Sequence, residues 1–327
     1  MFSIKISGTG IYTPSKMMPT SGISEMVGED ITYWAVDKMG IEVKKISEPE
    51  EAASDLAVIA SRQALQKAGL NPTELDLVIV ATDTPDYLSP ATSSVLQCKL
   101  GAKNAGTFDV NCACAGFVTA LDTATKYLLT DKSYKKALVV GTYAMTKFLN
   151  WKDKVTAPIF SDGAGAVILE QTDEGPGYLA SKLIADGCFY DYLGVYLGSG
   201  AVPTPEYIEK GLHLVRYNKR YPDVNTENWP ILVKDTLKKA ELYPEDIDMI
   251  LFTQVRRFTI EEVMKSLNLP MEKTYMVMGK YGYTGSACIP MALNDALEGK
   301  KINKGDIVVF CSSGGGYAMA AYAMKWV

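Results

Sequence analysis

Histidine is almost missing from this chain: His213 is the only one in 327 residues. A zinc site takes about four ligands. The close pair Cys112 and Cys114 has no histidine near it, so metal binding is a weak reading and no permanently bound cofactor is expected. Cysteine is sparse as well, with six residues at positions 98, 112, 114, 188, 288 and 311. In a long chain without export signals these read as reduced thiols. The opening Met-Phe-Ser-Ile-Lys-Ile-Ser has neither a long apolar core nor a cleavage site, so a secretory signal is not expected and a cytoplasmic setting is. No stretch approaches the apolar length of a membrane span, which argues against a membrane partner. A basic surplus is lacking too. Lys and Arg total 33 against 38 Asp and Glu, a net charge of −5 that argues against nucleic acid. There is no low-complexity segment and no flexible interdomain linker.

What is present suits a globular enzyme: 47% hydrophobic and 22% charged residues. The length fits one large domain or two of ordinary size. The chain also repeats itself. Residues 60–83 align with residues 232–255, so that Leu65 meets Leu237, Lys67 meets Lys239, Pro72 meets Pro244 and Asp76 meets Asp248, each 172 positions further on. Each copy reads as an amphipathic helix, a proline-containing turn and an apolar run. The runs Leu77–Ala81 and Met249–Phe252 have the look of buried parallel strands. The same offset carries Ala120-Leu121 onto Ala292-Leu293, and Ala137–Gly141 resembles Asp306–Phe310 with slight drift. Three elements in one order predict duplication, with halves at residues 1–172 and 173–327. Alternating helices and buried strands predict an α/β architecture with helices covering the sheets.

Smaller features give local expectations. Ser54 is a candidate N-cap with Asp55 in the first turn of the following helix. Gly8 and Gly10 form a G-x-G without a third glycine and read as a turn before Pro14. His213 lies in an alternating Leu-His-Leu-Val run that suggests a strand. Residues 200–230, with Pro203, Pro205 and Pro222, look like loop and hairpin.

The chemical candidate is Cys114. It lies in Ala105–Leu121, where an apolar approach gives way to small residues and then an amphipathic helix. Free N–H groups and the dipole at a helix start favour a thiolate. Ala113, Ala115 and Gly116 permit a tight turn and a close substrate. The alternative is a buried structural cysteine, and spacing alone does not separate the two. Gly314-Gly315-Gly316 reads as a tight turn before the last strand.

Four stretches now agree in order. Cys112-Ala113-Cys114-Ala115-Gly116-Phe117 resembles the acylated-cysteine motif of the ketoacyl-ACP synthase III family of the thiolase superfamily. Trp34 through Ile41 (WAVDKMGI) resembles its W-I-x-x-R-T-G-I. Phe160 through Gly165 (FSDGAG) resembles its F-G-D-G-A-G, and residues 312–317 (SSGGGY) resemble its glycine loop. The resemblance implies a thiolase-like, five-layered α/β/α/β/α sandwich built from two duplicated halves. It implies that Cys114 accepts an acyl group from acyl-CoA or acyl carrier protein, with the N–H groups of Cys114 and Gly315 as oxyanion hole. A thiolate suits that role because it attacks the carbonyl and later leaves. Trp34 matches the position that stacks on the CoA adenine. Lys38 and Lys154 match positions where the family prefers arginine, and lysine keeps the charge without the planar stacking surface. A homodimer is implied, with Asp86 through Pro90 near the partner's acyl tunnel.

The resemblance breaks at two catalytic positions. Malonyl-condensing members use a histidine and an asparagine thirty residues apart. Here Thr253 and Tyr283 hold those positions at the same spacing. Each offers one neutral hydroxyl donor, and losing a preorganised oxyanion donor costs about 3–4 kcal/mol in the transition state. Basic docking residues are also weakened, since Arg256 and Arg257 are followed by Glu261 and Glu262. Three readings stay open: a condensing enzyme with a Cys-Thr-Tyr site, an acyltransferase to a hydroxyl, amine or thiol, and a non-catalytic subunit paired with an active homologue.

Overall fold

The computed structural model describes residues 3–196 and 204–327. Two mixed sheets dominate. Sheet one contains β1 (Ser3–Tyr12), β2 (Leu77–Ala81), β3 (Gly106–Val110), β4 (Lys136–Tyr143) and β5 (Gly163–Thr172), in the spatial order β1-β5-β4-β2-β3. Sheet two contains β6 (Tyr178–Ala185), β7 (Met249–Phe252), β8 (Ile307–Gly314) and β9 (Ala318–Lys325), in the order β7-β8-β9-β6. Pairing directions correspond as well. β1/β5 and β5/β4 are antiparallel and β4/β2 parallel, just as β6/β9 and β9/β8 are antiparallel and β8/β7 parallel. β3 has no full counterpart, but an isolated parallel bridge joins Ile250 to Thr274 where a fifth strand would lie.

Helices complete the layers. α1 (Ala53–Ala68) and α2 (Thr92–Leu100) cover the outer face of sheet one, and α4 (Val224–Lys238) with α5 (Arg257–Ser266) covers the outer face of sheet two. Between the sheets lie α3 (Gly116–Thr130) and α6 (Cys288–Glu298). The result is an α/β/α/β/α sandwich. The middle helices explain why the apolar runs are buried throughout: β2 and β7 are covered on both faces, as parallel strands require.

Local chemistry departs from the sequence reading at several points. α1 starts one residue before Ser54. Its N-terminus is closed by Asp55, whose carboxylate accepts from the Ala52 N–H at 3.0 Å, while Ser54 donates through N–H and hydroxyl to Asp86. Gly8 and Gly10 lie inside β1 instead of in a turn. A Cβ there would sit 2.1 Å from Ala64 O and 2.2 Å from Ala60 O, so the glycines let α1 lie on the strand. His213 is in a turn and not a strand; the two-residue strand pair falls later, at Arg216–Tyr217 against Leu193–Gly194. The loop-and-hairpin expectation gives way to a short helix at Pro205–Glu209 and again from Val224, where α4 begins, and Pro203 lies outside the described residues.

The Phe160–Gly165 motif has a structural centre. Asp162 is fully buried and accepts from Ser47 N–H at 2.9 Å, Ser47 Oγ at 2.7 Å, Thr146 N–H at 2.9 Å and the Thr146 hydroxyl. Close by, Lys44 is wholly buried, donates to Ala157 O and lies 4.7 Å from the Trp151 ring. Burial pulls its ammonium down to about 7, with Asp162 opposing the change. The folded value is below the unfolded one, so between about 7 and the ordinary lysine value the unfolded chain holds more protons and this group makes stability rise with pH. Denaturant titrations of wild type and Lys44→Met should therefore diverge from pH 7 to pH 10, wild type gaining relative to the variant; parallel curves would contradict the assignment.

Candidate active site

The loop after β3 sets the nucleophile. Ala113 adopts φ of 46°, a left-handed conformation unusual for a residue with a Cβ. Asn111 accepts from the Ala113 N–H at 3.2 Å, and Ala115 and Gly116 donate to Cys112 O at 3.0 Å and Ala113 O at 2.9 Å. This tight turn places Cys114 two residues before α3. The residue is half-buried, not sealed.

The second half closes over that turn. β8 ends at Gly314, where a Cβ would lie 2.3 Å from Cys112 O, 2.8 Å from Ala115 N and 2.9 Å from Cys114 N. Gly315 is less constrained; its nearest neighbour in the same test is Leu193 O at 3.3 Å. Tyr283 is buried, with its ring tilted at 5.9 Å from Phe160, and its hydroxyl acts on the Cys114 thiol in the sense that eases ionisation of the sulfur. Thr253 is buried too, but its hydroxyl faces backbone, accepting from the Ser313 N–H at 3.0 Å. Cys114, Tyr283, Thr253 and the glycine turn thus share one site. Trp34 and Lys38 are elsewhere, on the helical segment Tyr33–Lys38. Trp34 is half-buried against Ile31 and Ala35, and Lys38 lies over the Tyr33 ring at 5.5 Å. Lys154 is exposed and paired with Glu29 at 2.9 Å.

Electrostatics differ from the expectation of a dipole-favoured thiolate. Burial pushes the Cys114 thiol well above its ordinary value, the Asp83 charge adds to that, and the Tyr283 hydrogen bond opposes it. Burial likewise raises Tyr283, with the Cys114 field adding to it. Cys288, at the start of α6, is buried and pushed up to about 12.

Three neighbours escaped the sequence reading. Asp83 follows β2, Tyr143 ends β4, and Tyr221 joins Phe189, Tyr192 and Tyr317 in an aromatic cluster beside the glycine turn. The Tyr221 hydroxyl donates to Phe189 O at 3.5 Å, and burial raises it to about 12. A visible signal existed for the last group: tyrosines recur at 190, 192, 196, 207, 217 and 221.

A double-layered sheet architecture with a cysteine held beneath a glycine turn at the junction of its halves defines a thiolase-like fold. Models of 3-oxoacyl-[acyl-carrier-protein] synthase III match residues 108–187 and, for the C-terminal part, residues 237–326. The chain is 37% identical over 327 residues to a β-ketoacyl-[acyl-carrier-protein] synthase III of Caldanaerobacter subterraneus subsp. tengcongensis, covering 98% of this chain and 97% of that one. It superposes on the 3-oxoacyl-[acyl-carrier-protein] synthase III of Aquifex aeolicus with a TM-score of 0.90 at 29% identity, covering 99% and 100% of the two chains. The priming β-ketosynthase of the R1128 polyketide pathway gives a TM-score of 0.91 at 26% identity, with 99% and 96% covered. The chain therefore belongs to the 3-oxoacyl-ACP synthase III family.

The close contact at Gly314 should be sensitive to one methyl group. Overpacking typically costs about 1–3 kcal/mol. Gly314→Ala should lose stability on that scale, while Gly315→Ala should lose less, as read by chemical denaturation; equal losses would show that the turn relaxes freely.

Proposed function

We propose that the protein is an acyltransferase that carries its acyl group as a thioester on Cys114, taken from acyl-CoA or acyl carrier protein. The observation that carries this reading is the placement of Cys114 on the turn ahead of α3, directly under the Gly314 backbone, with the Tyr283 hydroxyl as a polar neighbour. A buried donor there stabilises negative charge on sulfur both as it attacks and as it leaves. The amides of Cys114 and Gly315 serve the carbonyl oxygen in this reading. Trp34, Lys38 and Lys154 serve the nucleotide end of CoA. Lys154 would have to exchange Glu29 for phosphate, and because both side chains are exposed that exchange is easy.

The acceptor step is a carbon–carbon condensation in the family reading, run by a Cys-Thr-Tyr site. One observation favours a second reading, transfer to a hydroxyl, amine or thiol. Thr253 already holds a backbone N–H, which leaves it little capacity to stabilise an enolate. A homodimer is part of the proposal. β3 is an edge strand whose Asp109 caps α2 at 2.7 Å, and the loop leading into α2 exposes Tyr87 at 57% and Leu88 at 85%.

Intact-protein mass spectrometry with a panel of acyl-CoAs tests the acyl-enzyme. One adduct, lost in Cys114→Ala, is expected; no adduct with any donor would favour a non-catalytic subunit. Condensation of acetyl-CoA with malonyl-ACP should be at least about 100-fold below that of a family member with the histidine and asparagine, since one missing donor costs that much. A rate equal to theirs would overturn the role given to Thr253 and Tyr283.

A further inference from the structure

Asp83 leaves the C-terminal end of β2 between two tethered threonines. The Thr82 N–H donates to Val110 O at 3.2 Å, at the end of β3. Thr84 Oγ1 accepts from the Ala144 N–H at 2.9 Å, just past β4, and the Thr84 N–H donates to Thr82 Oγ1 at 3.1 Å. Both threonines are buried. The residue between them follows the end of β2, beside the end of β3 that runs into the loop carrying Cys114, and its Oδ1 is shielded from solvent with no hydrogen-bond partner. Buried carboxylate oxygens are ordinarily paired. An unpaired one costs stability, and this one stands at the strand end next to the nucleophile loop, where its charge acts on the Cys114 thiol.

The sulfur in turn needs a proton acceptor. Burial raises the Cys114 thiol, and His213, the only histidine, lies in the turn before Arg216–Tyr217. Burial raises Tyr283 as well, which disfavours the tyrosinate that would be needed to take the thiol's proton. The titratable groups whose fields meet that of Asp83 are Cys114 from the loop after β3 and Tyr143 from β4, with Tyr283 and Cys288 beyond them. All are neutral acids, and none supplies a cation to hold the carboxylate as a mere ion-pair partner.

We propose that Asp83 is the proton carrier of the acyl-transfer site, filling with a carboxylate the role for which an imidazole is commonly used. The proposal rests on the acyl-cysteine reading. In the first half-reaction Asp83 takes the thiol proton as sulfur attacks the donor thioester, and gives it to the departing thiolate, which leaves as a free thiol. In the second half-reaction it takes the proton of the acceptor atom as that atom attacks the acyl-Cys114 carbonyl. The Cys114 thiolate then leaves and recovers the proton. The net change is acyl thioester plus a protonated acceptor giving acylated acceptor plus thiol. The acceptor implied is one that is uncharged at its reacting end and loses a proton there, because a second carboxylate would be brought against the first.

The test is the rate of Cys114 acylation by whichever acyl-CoA forms the adduct, and of its alkylation by iodoacetamide, in wild type, Asp83→Asn and Asp83→Glu. General-base assistance is commonly worth about 10²–10⁴-fold, so Asp83→Asn should acylate at least about 100-fold more slowly and Asp83→Glu should recover part of the loss. A carboxylate that acts only as a charge predicts the opposite sign, since removing it lowers the thiol's proton affinity; an unchanged or faster Asp83→Asn enzyme overturns the proposal. Burial raises the Asp83 carboxyl to about 6. The wild-type rate should accordingly rise through that pH and level off, a readout that remains if Asp83→Asn does not fold. A rate that climbs only above pH 8 also overturns the proposal. If no acyl-CoA forms an adduct, the acyl-enzyme reading falls separately, and the alkylation rates still decide the role of Asp83.

Discussion

The site depends on one close approach, the backbone of Gly314 lying directly on the carbonyl and amides of Cys112–Ala115. Every other feature of the centre follows from that contact. It fixes the end of β8, and hence Ser313, against which Thr253 is held. It presses the second half onto a turn already strained at Ala113. It also sets Gly315, which has Leu193 O and the Tyr221 hydroxyl as neighbours, beside the aromatic cluster around Tyr221. A turn with a left-handed alanine persists only where its surroundings hold it, and here the holding surface comes from the opposite half of the chain. Neither half contains a site by itself.

Much of this frame was legible in the residues. The apolar runs Leu77–Ala81 and Met249–Phe252 coincide with β2 and β7 because doubly covered parallel strands need uninterrupted apolar residues, and such runs end sharply. The two central helices begin at Gly116 and Cys288, at the offset the repeat already gave. What escaped reading was set by contacts remote in sequence. Ser54 looks like a cap, but Asp86, 32 residues away, claims it and Asp55 closes the helix. Gly8 and Gly10 look like a turn because glycine serves turns and close approaches alike, and only the position of α1 tells which. Cys114 and Tyr283 were found through motif and spacing. Asp83 was not, because its chemistry comes from being shielded and unpaired, and neither property leaves a pattern in the chain.

The polar inventory of the centre distinguishes two kinds of hydroxyl. Thr253 occupies a position that the family resemblance marks as catalytic, yet its oxygen completes the hydrogen bonding of a strand end. Tyr283, at the paired position, has its ring against Phe160, from the same motif whose Asp162 ties Ser47 to Thr146. The Phe160–Gly165 segment therefore acts on the site through packing, with Asp162 as its anchor and Phe160 as the surface on which Tyr283 leans. Position in register identifies where a side chain stands; what it does is decided by which partner its polar atom already has.

Charge sets the remaining limit. The cations that the family resemblance places at the cofactor end, Lys38 and Lys154, are at the surface, and one of them is paired with Glu29. The groups around the sulfur are neutral acids together with a single carboxylate. Low-dielectric surroundings make such a carboxylate effective over short range and strongly unfavourable to any second anion. A site of this kind disfavours a carboxylated extender at the reacting centre and favours a chemistry in which charge is passed along as a proton. In the proposed site the Thr253 and Tyr283 hydroxyls and the Asp83 carboxylate belong to one arrangement. A neutral hydroxyl at Tyr283 and a base at Asp83 would form a coherent pair, since the hydroxyl would lower the energy of the thiolate that the carboxylate would create.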